Sequence, residues 1–417
     1  MNLTIAGRRD NRAPLPPPAG VAKRPFVQLR ANVAIAGSAT VILYAMSLAS
    51  GRVGVNDGLG WDGVGYARMV TDGVSAGSID MQTRPLLVLA TRLPYALGYD
   101  IISSFEMMNW VYGFTLYLFA ALLMERYGTP AGVRAVLVWN VALCMATAKM
   151  YVFYPALIDL GALALITIAL YLAATDRRLA AAFACIPAVA SREFGAAAAL
   201  YGMHRAIRQG HPWAAVAYAP SLVTLFVIRL AVVPGANSDP TPFSLQDAIA
   251  NLALWGSPWF AAAFAYFSIT VFGGISILLW LRPRWSLARF RAEPELATYL
   301  VVIVGLTAAG NLDIWRYLAF AFPAAIALIA PYCHGFTRDV TRHTLIAATA
   351  ATVLTQRPFE RLYEAIYFRD WFPLYHFSDP ARSGDFFPVW AARLAVVVLL
   401  MWATARTLGG SWRRAAA

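Results

Sequence analysis

Leu160-Gly-Ala-Leu-Ala-Leu-Ile-Thr-Ile-Ala-Leu-Tyr-Leu-Ala-Ala174 carries no charge and no alternation of apolar and polar residues. A strand of a barrel alternates with period two, whereas a lipid-buried segment must satisfy its own backbone hydrogen bonds and is therefore a helix. The same character recurs along the chain. Of 417 residues, 59% are hydrophobic and 13% charged, with mean hydropathy +0.57; a soluble domain averages roughly 25% charged residues. The sequence therefore predicts an all-α polytopic membrane protein.

About twelve membrane segments are expected, with boundaries good to a few residues. They lie near 31–50, 105–124, 131–148, 154–173, 179–190, 195–207, 212–233, 258–281, 296–310, 316–333, 344–355 and 387–408. The fifth, sixth and eleventh are short for a hydrocarbon core of about 30 Å, so they are expected to be broken, tilted or re-entrant. Residues 1–30, basic and Pro-rich, read as a disordered tail and not as a cleavable signal, and 411–417 as a second tail. Between them, 31–410 reads as a single transmembrane domain.

Residues 85–97 are apolar but short, and carry Arg92 and Pro94. Read as a helix lying on the membrane, they leave Arg126, Arg177, Arg178, Arg205, Arg208, Arg282, Arg284, Arg289, Arg291, Arg338 and Arg342 on the side of the amino terminus. That is the cytoplasmic side by the positive-inside rule. The net charge of +12 is thereby explained by loops, and no basic face or module points to nucleic acid. Cys144, Cys185 and Cys333 lie in separate apolar segments, which argues against a disulfide framework or zinc site.

This topology places three loops outside: 51–104, 234–257 and 356–386. In the first, Asn56-Asp57-Gly58-Leu59-Gly60-Trp61-Asp62-Gly63-Val64-Gly65-Tyr66 puts a carboxylate among glycines and aromatics at the membrane surface. Asp159 is expected about one and a half turns below the outer end of its helix. Glu193 and Asp313 fall in outer turns, and Arg84, Lys149, Arg192 and Arg316 share that level. Ionisable groups near spans are functional candidates by default. Arginine forks grip phosphate and a carboxylate removes a hydroxyl proton.

For each there is a plainer reading. Arg192 with Glu193, and Asp313 with Arg316, close helix ends as ion pairs. Asp159 is a buried polar residue bonded to a neighbouring helix, and Asp57 a turn residue. The acid pair Asp57 and Asp62 permits a divalent metal without demanding one. Of the histidines outside the cytoplasmic loops, His376 is on the outer side. A transporter using the same charges as a pathway, or a non-catalytic subunit of a polysaccharide assembly complex, are the rival functions. Charges gathered at one face, and not at the midplane, disfavour the transporter.

Gly60-Trp61-Asp62-Gly63-Val64-Gly65-Tyr66-Ala67-Arg68 resembles the G-aromatic-D-G-x-x-Tyr loop of bacterial membrane proteins of the GT-C glycosyltransferase superfamily. The likeness extends to Thr83-Arg84-Pro85-Leu86-Leu87, to Ser191-Arg192-Glu193, and to Asp313-Ile314-Trp315-Arg316-Tyr317 leading into Phe320-Ala321-Phe322-Pro323. It implies a multi-helix enzyme of the bacterial inner membrane. Such an enzyme moves a sugar from a polyprenyl-phosphate carrier to a lipid or glycan acceptor on the extracytoplasmic face. The resemblance maps the catalytic acid onto Asp62, with Asp57 second, and the donor phosphate pocket onto Arg192 and Arg316. By their shared level Arg84 and Lys149 are expected as further phosphate contacts, and Tyr66, Trp61 and the aromatic loop Tyr363–Tyr375 as a platform for sugar and acceptor. The large soluble carboxy-terminal domain of many relatives is not matched here.

Overall fold

The computed structural model describes residues 25–231, 245–253, 256, 258–281, 283–310, 314–334, 338–361 and 383–415. Asp313, the loop Tyr363–Tyr375, His376 and most of the amino-terminal tail lie outside the described residues. Among the described residues the chain is helical throughout, with no strand. Four helices are long and apolar enough to cross a bilayer: Val27–Ser50, Ile101–Arg126, Pro212–Leu230 and Phe387–Thr404. Shorter apolar helices, among them Ala131–Leu143, Asp159–Ala174 and Arg178–Ser191, pack among them. This is a helical membrane protein.

The first half contains α1 (Pro25–Ser50), α2 (Asp62–Thr71), α3 (Ile79–Gln82), α4 (Pro85–Ala96) and α5 (Ile101–Arg126). It continues with α6 (Ala131–Leu143), α7 (Lys149–Phe153), α8 (Asp159–Ala174), α9 (Arg178–Ser191), α10 (Gly195–Arg208), α11 (Pro212–Val216) and α12 (Ala219–Leu230). In the second half are α13 (Leu245–Ala253), α14 (Pro258–Thr270), α15 (Ile275–Leu281), α16 (Pro283–Ala292) and α17 (Pro294–Ala309). Last come α18 (Ile314–Leu318), α19 (Phe322–His334), α20 (Arg338–Gln356) and α21 (Ser383–Ala415). α8 packs on both α5 and α9, and α1 on α5, so α8 is the central column; most of its residues are buried. Helix α4, twelve residues long and about 18 Å by helical rise, is too short for a 30 Å core.

Two expected segments are broken. The 131–148 segment ends its helix at Leu143, and the 258–281 segment breaks between α14 and α15. Backbone groups released inside lipid need new partners, and α20 supplies them. Gln356 accepts from the Met145 amide at 3.0 Å and donates to the Thr270 carbonyl at 2.7 Å. The Thr352 hydroxyl accepts from the Gly274 amide at 2.7 Å. Gly274 lies so close to α20 that a Cβ there would stand 1.6 Å from the Ala348 carbonyl oxygen. Breaks and partners are one device.

The 154–173 segment begins late as well. Its helix starts at Asp159, because Pro155 interrupts the chain after α7, and Asn109 of α5 donates to the Tyr151 and Pro155 carbonyls at 3.3 and 2.7 Å. Asp159 therefore stands at the mouth of α8, not a turn and a half inside it. At the other end of its sixteen residues, α8 meets a separate ion cluster. There Glu295, fully buried, is held by Arg205 and Arg208 at 3.0 and 2.9 Å, and Arg205 also pairs with Asp176 at 3.1 Å. Each end of the column carries its own charges.

Candidate functional site: an alternating chain of charges

The loop after α1 is seated on one ring. The Val53 amide donates to the Phe153 carbonyl at 2.8 Å, which brings residues 53–63 against the α7–α8 link. Gly60 has φ +69°, and a Cβ there would lie 2.4 Å from the Tyr154 ring, so only glycine passes. The Gly63 amide donates to the Tyr154 hydroxyl at 3.0 Å, and Trp61 meets the same ring edge-on at 6.1 Å between centroids. Helix α2 then begins at Asp62, where a carboxylate is favoured by the helix dipole. Its side chain is 46% exposed.

From Asp62 inward, charges alternate. Arg316 of α18 lies with Nη1 3.7 Å from Asp62, and holds Asp159 Oδ2 through Nε at 2.8 Å and Nη2 at 2.6 Å. Asp159 also forms a close ion pair with Arg192, in the turn between α9 and α10. Arg192 approaches Glu193 at 3.8 Å, and Glu193 pairs with Arg84, at the head of α4, at 3.2 Å. The order is Arg84, Glu193, Arg192, Asp159, Arg316, Asp62. Three guanidiniums face three carboxylates, so the unit is neutral, and it joins α2, α4, α8, α18 and the α9–α10 turn.

Burial grades along this chain. Asp159 and Arg192 are each 1% exposed, whereas Asp62 opens outward. Buried charges are tolerated only when paired, which Asp159 achieves with two arginines. Burial alone would push the Glu193 carboxyl up, but the Arg84 and Arg192 guanidiniums outweigh it and hold it down at about 2. Arg192 stacks over Tyr317 at 5.8 Å, and Phe194 packs on Tyr317 and Phe320 at 5.2 and 4.5 Å. Despite its two ion pairs, none of the Arg192 nitrogens meets hydrogen-bond geometry with a described residue.

Five of the expected site residues thus converge around Asp159 itself: Asp62, Arg84, Arg192, Glu193 and Arg316. The others stand apart. Asp57 is exposed, in a left-handed conformation at φ 54°, and forms no ion pair with any described residue. Lys149 is buried and donates to the Arg357 carbonyl at 2.6 Å, so its ammonium does not join the chain. Tyr66 is 1% exposed, with its hydroxyl in hydrogen-bonding reach of Arg84. Its ring is therefore not an open platform, while Trp61 remains 39% exposed.

Of the plain pairings, Arg192 with Glu193 is present at 3.8 Å, although the closest partner of Arg192 is Asp159, and Asp313 with Arg316 lies outside the described residues. Tyr154, the seat of the loop, went unread because it lies in an apolar run that reads as the start of a span; Pro155 beside it was the available signal. Among the described residues no group of three or more His, Cys, Asp or Glu is placed to hold a metal. Compared with protein-family models, curated proteins and solved structures, the chain matches none.

Proposed function

We propose that the protein is a membrane glycosyltransferase that moves a sugar from a polyprenyl-phosphate donor to a lipid or cell-envelope glycan. On this reading the shorter apolar helices complete a GT-C-like bundle of about twelve crossings in a bacterial inner membrane. The Asp62 end then faces away from the cytoplasm, and the arginine-rich loops face it.

One observation carries the proposal. Arg316 is anchored by buried Asp159 through Nε and Nη2, and its third nitrogen is turned toward half-exposed Asp62. A proton acceptor and a guanidinium suited to phosphate therefore lie side by side at the exposed end of the chain. In the transfer, the Asp62 carboxylate takes the proton of the acceptor hydroxyl as its oxygen bonds to the anomeric carbon. The bond from that carbon to the phosphate oxygen breaks, its electron pair stays on the phosphate, and the departing lipid phosphate gains one negative charge. Arg316, with Arg192 behind it, stabilises that charge. Asp62 is the base because it is the exposed acid of the chain; Asp159 is buried between two cations and positions them.

A second reading has its own support in the neutrality of the chain. Three arginines matched by three acids across five segments make a brace as well as a site. The two readings part on Asp62→Asn. Purified protein given undecaprenyl-phosphate-linked hexoses or pentoses, with released undecaprenyl phosphate measured per folded molecule, should lose about 10²–10⁴-fold in rate with this change. Unaltered turnover in Asp62→Asn removes the residue from the mechanism. A parent protein that neither binds undecaprenyl phosphate nor releases it leaves the brace.

A further inference from the structure

A cavity of about 220 Å³ opens between the last turns of α1 and the first turns of α5, with Tyr151 and Val152 of α7 in its lining and none of the Asp62–Arg84 chain. Its walls differ in chemistry. Tyr44 and Trp110 form one wall, with ring centroids 5.0 Å apart, and Ser47 and Asn109 line the interior. At its edge Arg52 and Glu106 form an ion pair at 2.7 Å, with side chains 53% and 24% exposed. Tyr44 and Leu48, at 47% and 71% exposure, face outward from a helix able to cross a bilayer. Aromatic rings beside charges at the end of such a helix mark the level of lipid headgroups.

We propose that this cavity binds the headgroup of a zwitterionic phospholipid bearing a primary ammonium, independently of the proposed transferase reading. The Arg52–Glu106 pair is neutral as a unit, so its complement is a ligand with one charge of each sign. Arg52 offers a planar fork to the phosphate, and Glu106 accepts from the ammonium, which also lies against the Trp110 and Tyr44 rings. An exposed ion pair is weakly held, so it opens at little cost. An anionic headgroup without an amine would meet the Glu106 carboxylate with nothing to offset the repulsion. The volume is below the roughly 300–1,000 Å³ of pockets for drug-sized ligands. It suits a headgroup, with the acyl chains left outside along Tyr44 and Leu48.

Native mass spectrometry of the full chain, with phosphatidylethanolamine and phosphatidylglycerol of identical acyl chains added in equal amounts, tests this. The parent should retain phosphatidylethanolamine several-fold over phosphatidylglycerol. Arg52→Gln should cut that retention roughly tenfold, the scale of one charge-assisted contact, and Glu106→Gln should erase the preference. Ser47→Trp, which fills the cavity without touching the ion pair, should also lose the lipid. Equal retention of the two lipids by the parent overturns the proposal, as does retention that none of the three variants alters. Neither Arg52 nor Glu106 belongs to the Asp62–Arg84 chain, so failure here leaves the transferase reading where it stood.

Discussion

Arg316 grips a single oxygen of Asp159 with two nitrogens, Nε at 2.8 Å and Nη2 at 2.6 Å, across 157 residues of sequence. The grip orients the remaining nitrogen toward Asp62, so a buried acid sets the geometry of an exposed one. The two aspartates therefore have different jobs, and single substitutions distinguish them.

Asp159→Asn keeps the volume but leaves Arg192 and Arg316 buried without their shared counter-charge. Removing one partner of a buried ion pair typically costs about 3–5 kcal/mol, so the thermal midpoint in detergent should drop sharply. Asp62→Asn breaks only a long contact to a half-exposed acid, within about 1 kcal/mol for exposed pairs. Equal loss in the two variants would contradict this division.

Arg316→Lys keeps the charge and loses the fork. A lysine cannot contact Asp159 through two nitrogens and still turn a third toward Asp62. Binding of undecaprenyl phosphate, followed by native mass spectrometry, should weaken by roughly tenfold or more in the folded variant. If the Lys protein holds the lipid phosphate as tightly as the parent, Arg316 is part of a brace alone.

Glu193 gives the site a pH signature. Its carboxyl is held down at about 2 in the fold, against an ordinary value of about 4.3. A depressed carboxyl adds stability that is complete above the ordinary value and is lost as pH falls toward 2. The parent should therefore lose thermal stability between about pH 5 and pH 2 more steeply than Glu193→Gln, which cannot titrate there. Parallel curves over that window would show that Arg84 and Arg192 do not depend on this acid.

The two ends of α8 predict opposite labelling. Ser75 is exposed in the loop that carries Asp62, Arg177 is exposed just past the far end of α8, and the proposed topology puts them on opposite faces of the membrane. With the Asp62 end outside, a cysteine at Ser75 reacts with an impermeant thiol reagent in cells whose outer membrane has been permeabilised, and one at Arg177 reacts only after lysis. The reverse pattern would place the charge chain on the cytoplasmic side.

Hydrophobicity and charge order are local properties, and from them the helical membrane class, most of the helices and the cluster of acids and arginines around Asp62 could be read directly. The breaks at Cys144 and before Ile275 could not, because their stability depends on Thr352 and Gln356 arriving from a helix far along the chain. The same holds for ion pairing. Arg192 lies next to Glu193 in sequence, yet its close partner is Asp159, while Glu193 turns to Arg84. Lys149, at the same expected depth as the arginines, was drawn to the Arg357 carbonyl. Which segments are apolar helices follows from runs that any short window displays; which buried charge meets which follows from how α8, α9 and α18 pack, since a charge in low dielectric takes the counter-charge that packing brings nearest.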